Sequence, residues 1–273
     1  ELDYEEDIID SVKNLCLIFA EKLKNDFHPY FNELMPLLKK YLKTSHPEED
    51  RSLAFGIIAD VLKNSTISTK FFIEQLFTFI ESNLSLKKIN KKNESLLRHI
   101  AYLIGVLFES DPEAAKPYLN ASLNHLQYIF EKTKREAKDN VIASLCRIIT
   151  SLKLNKTNFP LFDKSVETIM TNLPFKYDPI ENITALDFLV YLIDIFGIEE
   201  YTKYCDGIMK VLQILVVNDA KCKTKEEDLA KIRNYINTLN KNETIKGMIE
   251  KYVLEKFTQN EKDKFVTKIT NAK

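Results

Sequence analysis

The sequence predicts an all-α fold in which antiparallel helix pairs stack side by side into an α-α superhelix. Four segments share an alanine followed by a dense apolar run: RSLAFGIIADVL (51–62), HIAYLIGVLFE (99–109), NVIASLCRIITSL (140–152) and ITALDFLVYLIDIF (183–196). Their alanines, Ala54, Ala101, Ala143 and Ala185, lie 47, 42 and 42 residues apart. A period of about 40–47 residues with two helices per unit is typical of HEAT and armadillo solenoids. Five glycines and the lack of strand-like alternation also favour helices.

Apolar residues three and four positions apart predict the helices in order. The predicted helix pairs are 5–24 with 31–42, 47–63 with 67–83, the two halves of 94–130, 136–153 with 159–172, and 179–196 with 199–217. A less regular, more polar last unit ends in a short helix near 259–270, as suits the cap of an array. We therefore read the chain as a single right-handed HEAT-repeat solenoid segment with approximate repeats 4–43, 47–83, 91–134, 136–173, 178–218 and 224–273.

Two prolines and two small residues refine this picture. The run Ser110-Asp111-Pro112 ends one helix and opens the next, because proline cannot continue the hydrogen-bond ladder but suits a first turn. Pro36 stands inside the second predicted helix, so we expect a kink or a late start there. Ala101 and Gly105 are one turn apart and would let a neighbouring helix approach closely.

Composition excludes several classes of protein. The net charge of −1, with 29% charged residues, gives no overall field that would attract nucleic acid, and no direct nucleic-acid partner is expected. There is no run of eighteen apolar residues and no signal peptide, so no membrane contact is expected. Four widely spaced cysteines indicate reduced core residues. Because the array begins mid-pattern, we expect a piece of a longer protein, and we expect that protein to be a monomer.

No pattern predicts a catalytic, metal or cofactor site. The five glycines are isolated, so no phosphate-binding loop exists, and neither H-E-x-x-H nor C-x-x-C occurs. His28, His46, His99 and His125 are far apart in sequence. The lysine-rich loop 87–92 matches a nucleic-acid patch or a localisation signal. We favour a solvated connection between repeats, because no aromatic residues alternate with its lysines. We expect a protein that is not an enzyme.

The second helices of the repeats offer the best candidate binding surface, because in such arrays they line the concave side. Six polar residues are candidates for contact with a basic segment of a partner through charge-assisted hydrogen bonds: Glu74, Thr78, Glu81, Asp163, Glu167 and Asp206. An ordinary solvated helix face is the alternative. Lysines on the same helices, Lys39, Lys40, Lys164 and Lys210 among them, weaken the negative field.

Five motifs, in this order and spacing, carry a family resemblance: PYFNELMPLLKKYL (29–42), RSLAFGIIADVL (51–62), RHIAYLIGVLFESDPEAAKPYL (98–119), DNVIASLCRIITSLK (139–153) and ALDFLVYLID (185–194). With them the chain resembles the C-terminal HEAT repeats of the importin-beta (karyopherin-beta) family, and looks closest to the importin beta-3 branch. An acidic stretch, LDYEED (2–7), stands where that branch has one. The resemblance covers almost the whole chain but fades after about Lys221.

The resemblance implies a nuclear transport receptor that shuttles between cytoplasm and nucleus. Such receptors bind protein cargo, here basic proteins such as ribosomal proteins or histones. They cross the nuclear pore through weak contacts with phenylalanine-rich nucleoporins, and they release cargo when GTP-bound Ran binds. The main Ran-binding repeats of the family are N-terminal and lie outside this segment, so no Ran or nucleoporin residue is assigned. A HEAT scaffold or regulatory subunit of another complex is the alternative function. An enzyme carrying a helical-repeat domain is the third.

Overall fold

The computed structural model describes residues 2–65, 67–85, 94–217, 222 and 224–270. This part of the chain is helical and contains no strand, as the sequence predicts. The helices are α1 (Leu2–Leu23), α2 (His28–Tyr41), α3 (Glu48–Asn64), α4 (Ile73–Leu84), α5 (Glu94–Ser110), the single turn α6 (Pro112–Ala115), α7 (Leu119–Lys132), α8 (Arg135–Ser151), α9 (Phe162–Asn172), α10 (Asn182–Glu200), α11 (Cys205–Val217), α12 (Glu226–Leu239), α13 (Glu243–Lys256) and α14 (Gln259–Thr270).

The chain forms two compact units, Glu1–Leu152 and Lys153–Lys273. In the first unit α1, α3, α5 and α8 pack one against the next, while α2 and α7 pack onto this row from the side. In the second unit α11 packs against α10, α13 and α14, and α12 packs against α10 and α14. Neighbour-to-neighbour packing of helix pairs is the HEAT-type architecture. The division into six repeats stays a prediction.

Helix α5 is the best-buried element of the first unit. Its apolar side chains from Leu96 to Phe108 are almost completely shielded from solvent. At Gly105 the neighbouring α8 comes so close that an added Cβ would stand 2.8 Å from Ser144 Cα. The Ser144 hydroxyl donates a 2.6 Å hydrogen bond to the Ala101 carbonyl. The close approach expected from Ala101 and Gly105 is therefore confirmed.

Asp111 connects two successive helix pairs. As predicted, α5 ends at Ser110 and Pro112 opens a new turn, with the Asp111 carboxylate accepting from the Ala114 amide at 3.3 Å. The same carboxylate accepts from the Thr69 amide at 2.9 Å and the Ser68 hydroxyl at 3.0 Å. Burial alone would raise the pKa of Asp111, but these hydrogen bonds together lower it.

Two arginines form further polar links in the first unit. Arg51 on α3 donates a 2.6 Å hydrogen bond to the Asn83 side chain on α4, and Asn83 in turn donates to the Leu42 carbonyl at 3.0 Å. Arg147 on α8 is only 3% exposed and lies 2.8 Å from the Glu109 carboxylate on α5. Lys63 on α3 reaches the same carboxylate at 3.0 Å. Burial opposes ionisation of Glu109, yet the two cations hold its pKa below the usual value.

Some boundaries differ from the expectations. Helix α4 begins at Ile73 rather than near 67, because residues 67–72 form an extended segment and a turn held by Asp111. Pro36 lies inside a continuous α2, so the late start is wrong. Helix α10 is interrupted at Gly197, whose φ of 71° and ψ of 162° are not helical. All four cysteines are buried, and none takes part in a disulfide bond.

His99 on α5 is packed against α3. Its Nδ1 lies 2.8 Å from the Ser52 hydroxyl, and its ring lies over Gly56, where an added Cβ would come within 3.2 Å of the imidazole. Burial, assisted by the positive charges of Lys13 and Arg98, lowers the pKa of His99 to about 3. The imidazole is therefore neutral in the folded protein at ordinary pH.

We expect Gly105→Ala to destabilise the first unit by about 1–3 kcal/mol, because the new methyl group overlaps the Ser144 backbone and α5 and α8 must separate. The measurement is the free energy of unfolding in urea. Gly247→Ala on α13 is the matched control: no atom lies within 4 Å of its added Cβ, and we expect it to stabilise by about 0.5–1 kcal/mol. Equal effects of the two substitutions would contradict the close contact.

We also expect an acid-dependent loss of stability at His99. Its pKa is lower in the folded than in the unfolded chain, so between pH about 6.5 and 3 the unfolded chain binds a proton that the folded chain does not. The free energy of unfolding then falls by up to about 1.4 kcal/mol per pH unit of acidification. His99→Gln should flatten this slope, whereas His28→Gln, at an exposed position, should leave it unchanged. A His99→Gln variant with the wild-type slope would contradict the buried neutral imidazole.

Candidate partner-binding surfaces

Three of the predicted contact residues lie on one face of α4. Glu74, Thr78 and Glu81 are all exposed, and their spacing of four and three residues aligns them along the helix. Leu76, Phe77 and Ile80 occupy the opposite, buried face. The Thr78 hydroxyl donates to the Glu74 carbonyl at 3.0 Å, so its proton is already used within the helix. The two carboxylates are the charged acceptors on this face of α4, and the Thr78 oxygen can still accept a hydrogen bond from a basic ligand.

His125 on α7 extends this surface toward the next helix pair. Its Nε2 lies 3.9 Å from the Glu81 carboxylate. Burial lowers the pKa of His125, and the Glu81 charge partly opposes this effect. Sequence reasoning did not connect the two residues, because they are 44 positions apart and belong to different repeats. The contact places the His125 side chain of α7 beside Glu81 of α4.

Two predicted residues lie together on α9 in the second unit. Asp163 and Glu167 are exposed and one turn apart, opposite the buried Phe162, Val166 and Ile169. Lys156, from the loop before α9, lies 3.3 Å from Asp163, and its ammonium group also stands 5.2 Å from the centre of the Phe196 ring. Asp163 is therefore partly neutralised, and Glu167 carries the unshared negative charge of this pair.

Asp206, the sixth candidate, lies in the first turn of α11 and forms an ion pair with a lysine of the same helix. Lys210, one turn later, lies 2.5 Å from its carboxylate. This hydrogen bond raises the pKa of Lys210. As expected, lysine weakens the negative field here. The structure thus groups Glu74 with Glu81 and Asp163 with Glu167, each pair on one helix, and leaves Asp206 in a local ion pair.

A groove lies between α10 and α12 in the second unit, with a volume of about 330 Å³. We call it the α10–α12 groove; its lining includes Asp187, Val190 and Asp194 from α10 and Lys231, Asn234 and Tyr235 from α12. Asp187 and Lys231 form a 2.8 Å ion pair across it. No residue of the groove was predicted as a site from the sequence, since α10 shows no amphipathic pattern that would single it out.

The described residues form neither a metal site nor a membrane-spanning helix. Among the described residues, no three His, Cys, Asp or Glu side chains gather as metal ligands. Within the same residues no helix has both the length and the apolar character required to cross a membrane. The lysine-rich loop, residues 87–92, lies outside the described part of the chain.

Comparison with known proteins adds distant relatives. No family model matches the chain. It is 26% identical over 194 residues to the probable importin subunit beta-4 of Schizosaccharomyces pombe, which covers 70% of this chain and 17% of the relative. It is 24% identical over 238 residues to the probable importin-5 homolog of Dictyostelium discoideum, covering 82% of this chain and 21% of that protein. Importin-4 of Mus musculus is 23% identical over 159 residues, with coverages of 58% and 14%.

The chain therefore spans about a fifth or less of the length of the curated relatives it matches. All three are named importins, and they match well over half of this chain. Together with the helix-pair architecture, these similarities support a relationship to the importin-beta family. They do not favour the importin beta-3 branch over the others.

We expect Glu81→Gln to lower the pKa of His125 further, because the substitution removes the negative charge that favours the imidazolium form. The measurement is the pH titration of the His125 ring by NMR. Glu74→Gln is the matched control, since Glu74 lies about two turns away on the same face of α4, and it should leave the titration nearly unchanged. Identical titrations of Glu81→Gln and wild type would show that the two side chains do not face each other in solution.

Proposed function

We propose that the chain is a segment of a nuclear transport receptor and acts by binding protein cargo. The observation that carries this proposal is the similarity to three proteins named importins across 58–82% of the chain, combined with a HEAT-type architecture. The segment carries out no reaction. In the complete receptor, cargo is bound in the cytoplasm, carried through the pore by contacts with nucleoporins, and released in the nucleus when GTP-bound Ran binds outside this segment.

The cargo is a basic nuclear protein, such as a ribosomal protein or a histone. Support comes from the exposed carboxylates on second helices, of which Glu74 and Glu81 on α4 share one face. Lysine and arginine side chains donate charge-assisted hydrogen bonds to such carboxylates, which are stronger than hydrogen bonds between neutral groups. Glu167 on α9 offers the same chemistry in the second unit, and Asp163 does so once Lys156 is displaced.

Each exposed charge pair of this kind contributes little to the free energy of cargo binding. A single pair at the surface contributes roughly 0–1 kcal/mol and is screened by salt. A receptor that must release its cargo benefits from many such contacts, because a modest change in helix spacing disrupts several at once. Neighbour-only packing allows that change, since small rotations between helix pairs add up along an array.

The second candidate function is a HEAT scaffold or regulatory subunit of another complex. It has the same architecture but needs neither Ran nor the nuclear pore. The distinguishing experiment is a pull-down of the full-length parent protein with Ran loaded with GTP in one arm and GDP in the other. Selective capture of the GTP form supports the transport receptor. Capture of neither form by folded protein would overturn it in favour of the scaffold.

For the acidic surface, we expect the double substitution Glu74→Lys with Glu81→Lys to weaken binding of a labelled lysine- and arginine-rich peptide by about tenfold at low salt. The salt dependence of the remaining binding should also be flatter, because fewer ion pairs are formed. The measurement is fluorescence anisotropy across a series of NaCl concentrations. The same expectation, with a smaller loss, applies to Asp163→Lys with Glu167→Lys.

Matched controls are Asp26→Lys in the first unit and Glu250→Lys in the second, both at exposed positions away from the two acidic pairs. These controls change net charge by the same amount per substitution. If the controls weaken peptide binding as much as the double substitution on α4 does, the loss of affinity reflects overall charge. The acidic face of α4 is then only a solvated surface.

A further inference from the structure

The α10–α12 groove combines an apolar floor with polar rims. Val190, on α10, is 39% exposed and lines the groove. Tyr235, from α12, closes the floor with its ring while its hydroxyl points away: it pairs with the buried Tyr201 hydroxyl at 2.5 Å. Tyr201 in turn donates to the Leu189 carbonyl at 2.6 Å. This chain of hydrogen bonds fixes the ring, so the floor is formed before any ligand arrives.

Charge along the groove is uneven. At one end Asp187 and Lys231 neutralise each other through their 2.8 Å ion pair. At the other end Asp194, two turns further along the same face of α10, is exposed and has no ion-pair partner among the described residues. It stands in the last helical turn before the break at Gly197, where the end of a helical segment adds partial negative charge. This end of the groove therefore favours a cation.

Two further lysines are packed near this end of α10. Lys156 and Lys203 both lie over the ring of Phe196, at 5.2 and 5.3 Å from its centre. Phe196 is two residues after Asp194, about 200° around the helix, so these cations belong to the opposite side of α10.

The facing rim can bind a peptide backbone. The exposed Asn234 has no hydrogen-bond partner for its side-chain amide among the described residues. An asparagine amide carries both a donor and an acceptor, which is the complement of a peptide group. A volume of about 330 Å³ is at the lower end of the range for ligand sites and suits one or two side chains.

From these features we propose that the α10–α12 groove binds a linear peptide of a partner protein in which an aliphatic side chain stands next to lysine or arginine. The aliphatic side chain packs on Val190 and the Tyr235 ring, the basic side chain pairs with Asp194, and Asn234 holds the peptide backbone. The proposal concerns a surface separate from the acidic helices α4 and α9, and it stands whether or not the chain belongs to a transport receptor.

The test uses the whole chain and the peptide Gly-Ser-Lys-Leu-Lys-Ser-Gly, which places lysine on both sides of leucine and so requires no assumption about peptide direction. Binding is followed by NMR as backbone shifts during titration. We expect saturable shifts at α10 and α12. Asp194→Asn should weaken binding about fivefold, as for loss of one exposed charge pair, and Val190→Lys should abolish it.

Two controls make the result decisive. Glu250→Gln removes an exposed carboxylate of the same unit, on α13 and outside both the groove and the acidic pairs, and should leave the affinity unchanged. A peptide with serine in place of both lysines should bind at least about fivefold more weakly. Equal binding of the serine peptide, or no effect of Asp194→Asn in a variant that unfolds like wild type, would overturn the proposal. So would the absence of saturable shifts in the groove, or loss of affinity in Glu250→Gln equal to that in Asp194→Asn.

Discussion

The contact on which the first unit depends is the approach of α5 to α8 at Gly105. With no Cβ in the way, the two backbones come close enough for the Ser144 hydroxyl to reach a main-chain carbonyl of the neighbouring helix. This spacing determines how the rest of the row packs. It brings Arg147 within reach of Glu109, shields the apolar side chains of α5 on all sides, and leaves α7 packed against both helices.

Polar side chains then join one helix pair to the next at intervals of about one repeat. Asp111 bonds the segment that precedes α4, Asn83 bonds the Leu42 carbonyl, and Lys63 shares Glu109 with Arg147. Each link satisfies buried or half-buried groups that would otherwise be costly, so the links specify register as much as they add stability.

The second unit is held together by other hydrogen bonds. Asn182 accepts from the Phe175 amide and donates to two carbonyls, and the Tyr201–Tyr235 pair connects α10 to α12.

Local sequence patterns predicted the helices and the corners between them. They did not predict contacts between residues that are distant in sequence. The α5–α6 corner followed from Asp111 and Pro112, because capping and proline act within a few residues. The ion pair of Asp206 and Lys210 was also within reach of the sequence, since the two are one helical turn apart. Glu81 and His125, or Glu109 and Arg147, meet only because helices from successive repeats are stacked in one register. No single sequence specifies that register to within one turn. The α10–α12 groove was missed for the same reason, as it belongs to no single helix.

The buried cysteines allow opening of the folded protein to be followed through the reactivity of their thiols. Cys16 and Cys146 lie in the first unit, Cys205 and Cys222 in the second, and all four are shielded in the folded state. Burial raises the pKa of the Cys16 and Cys205 thiols, so alkylating reagents meet little thiolate until the surrounding helices separate. The order in which the four sulfurs react therefore reports whether the two units open together or independently, with no foreign label in the chain.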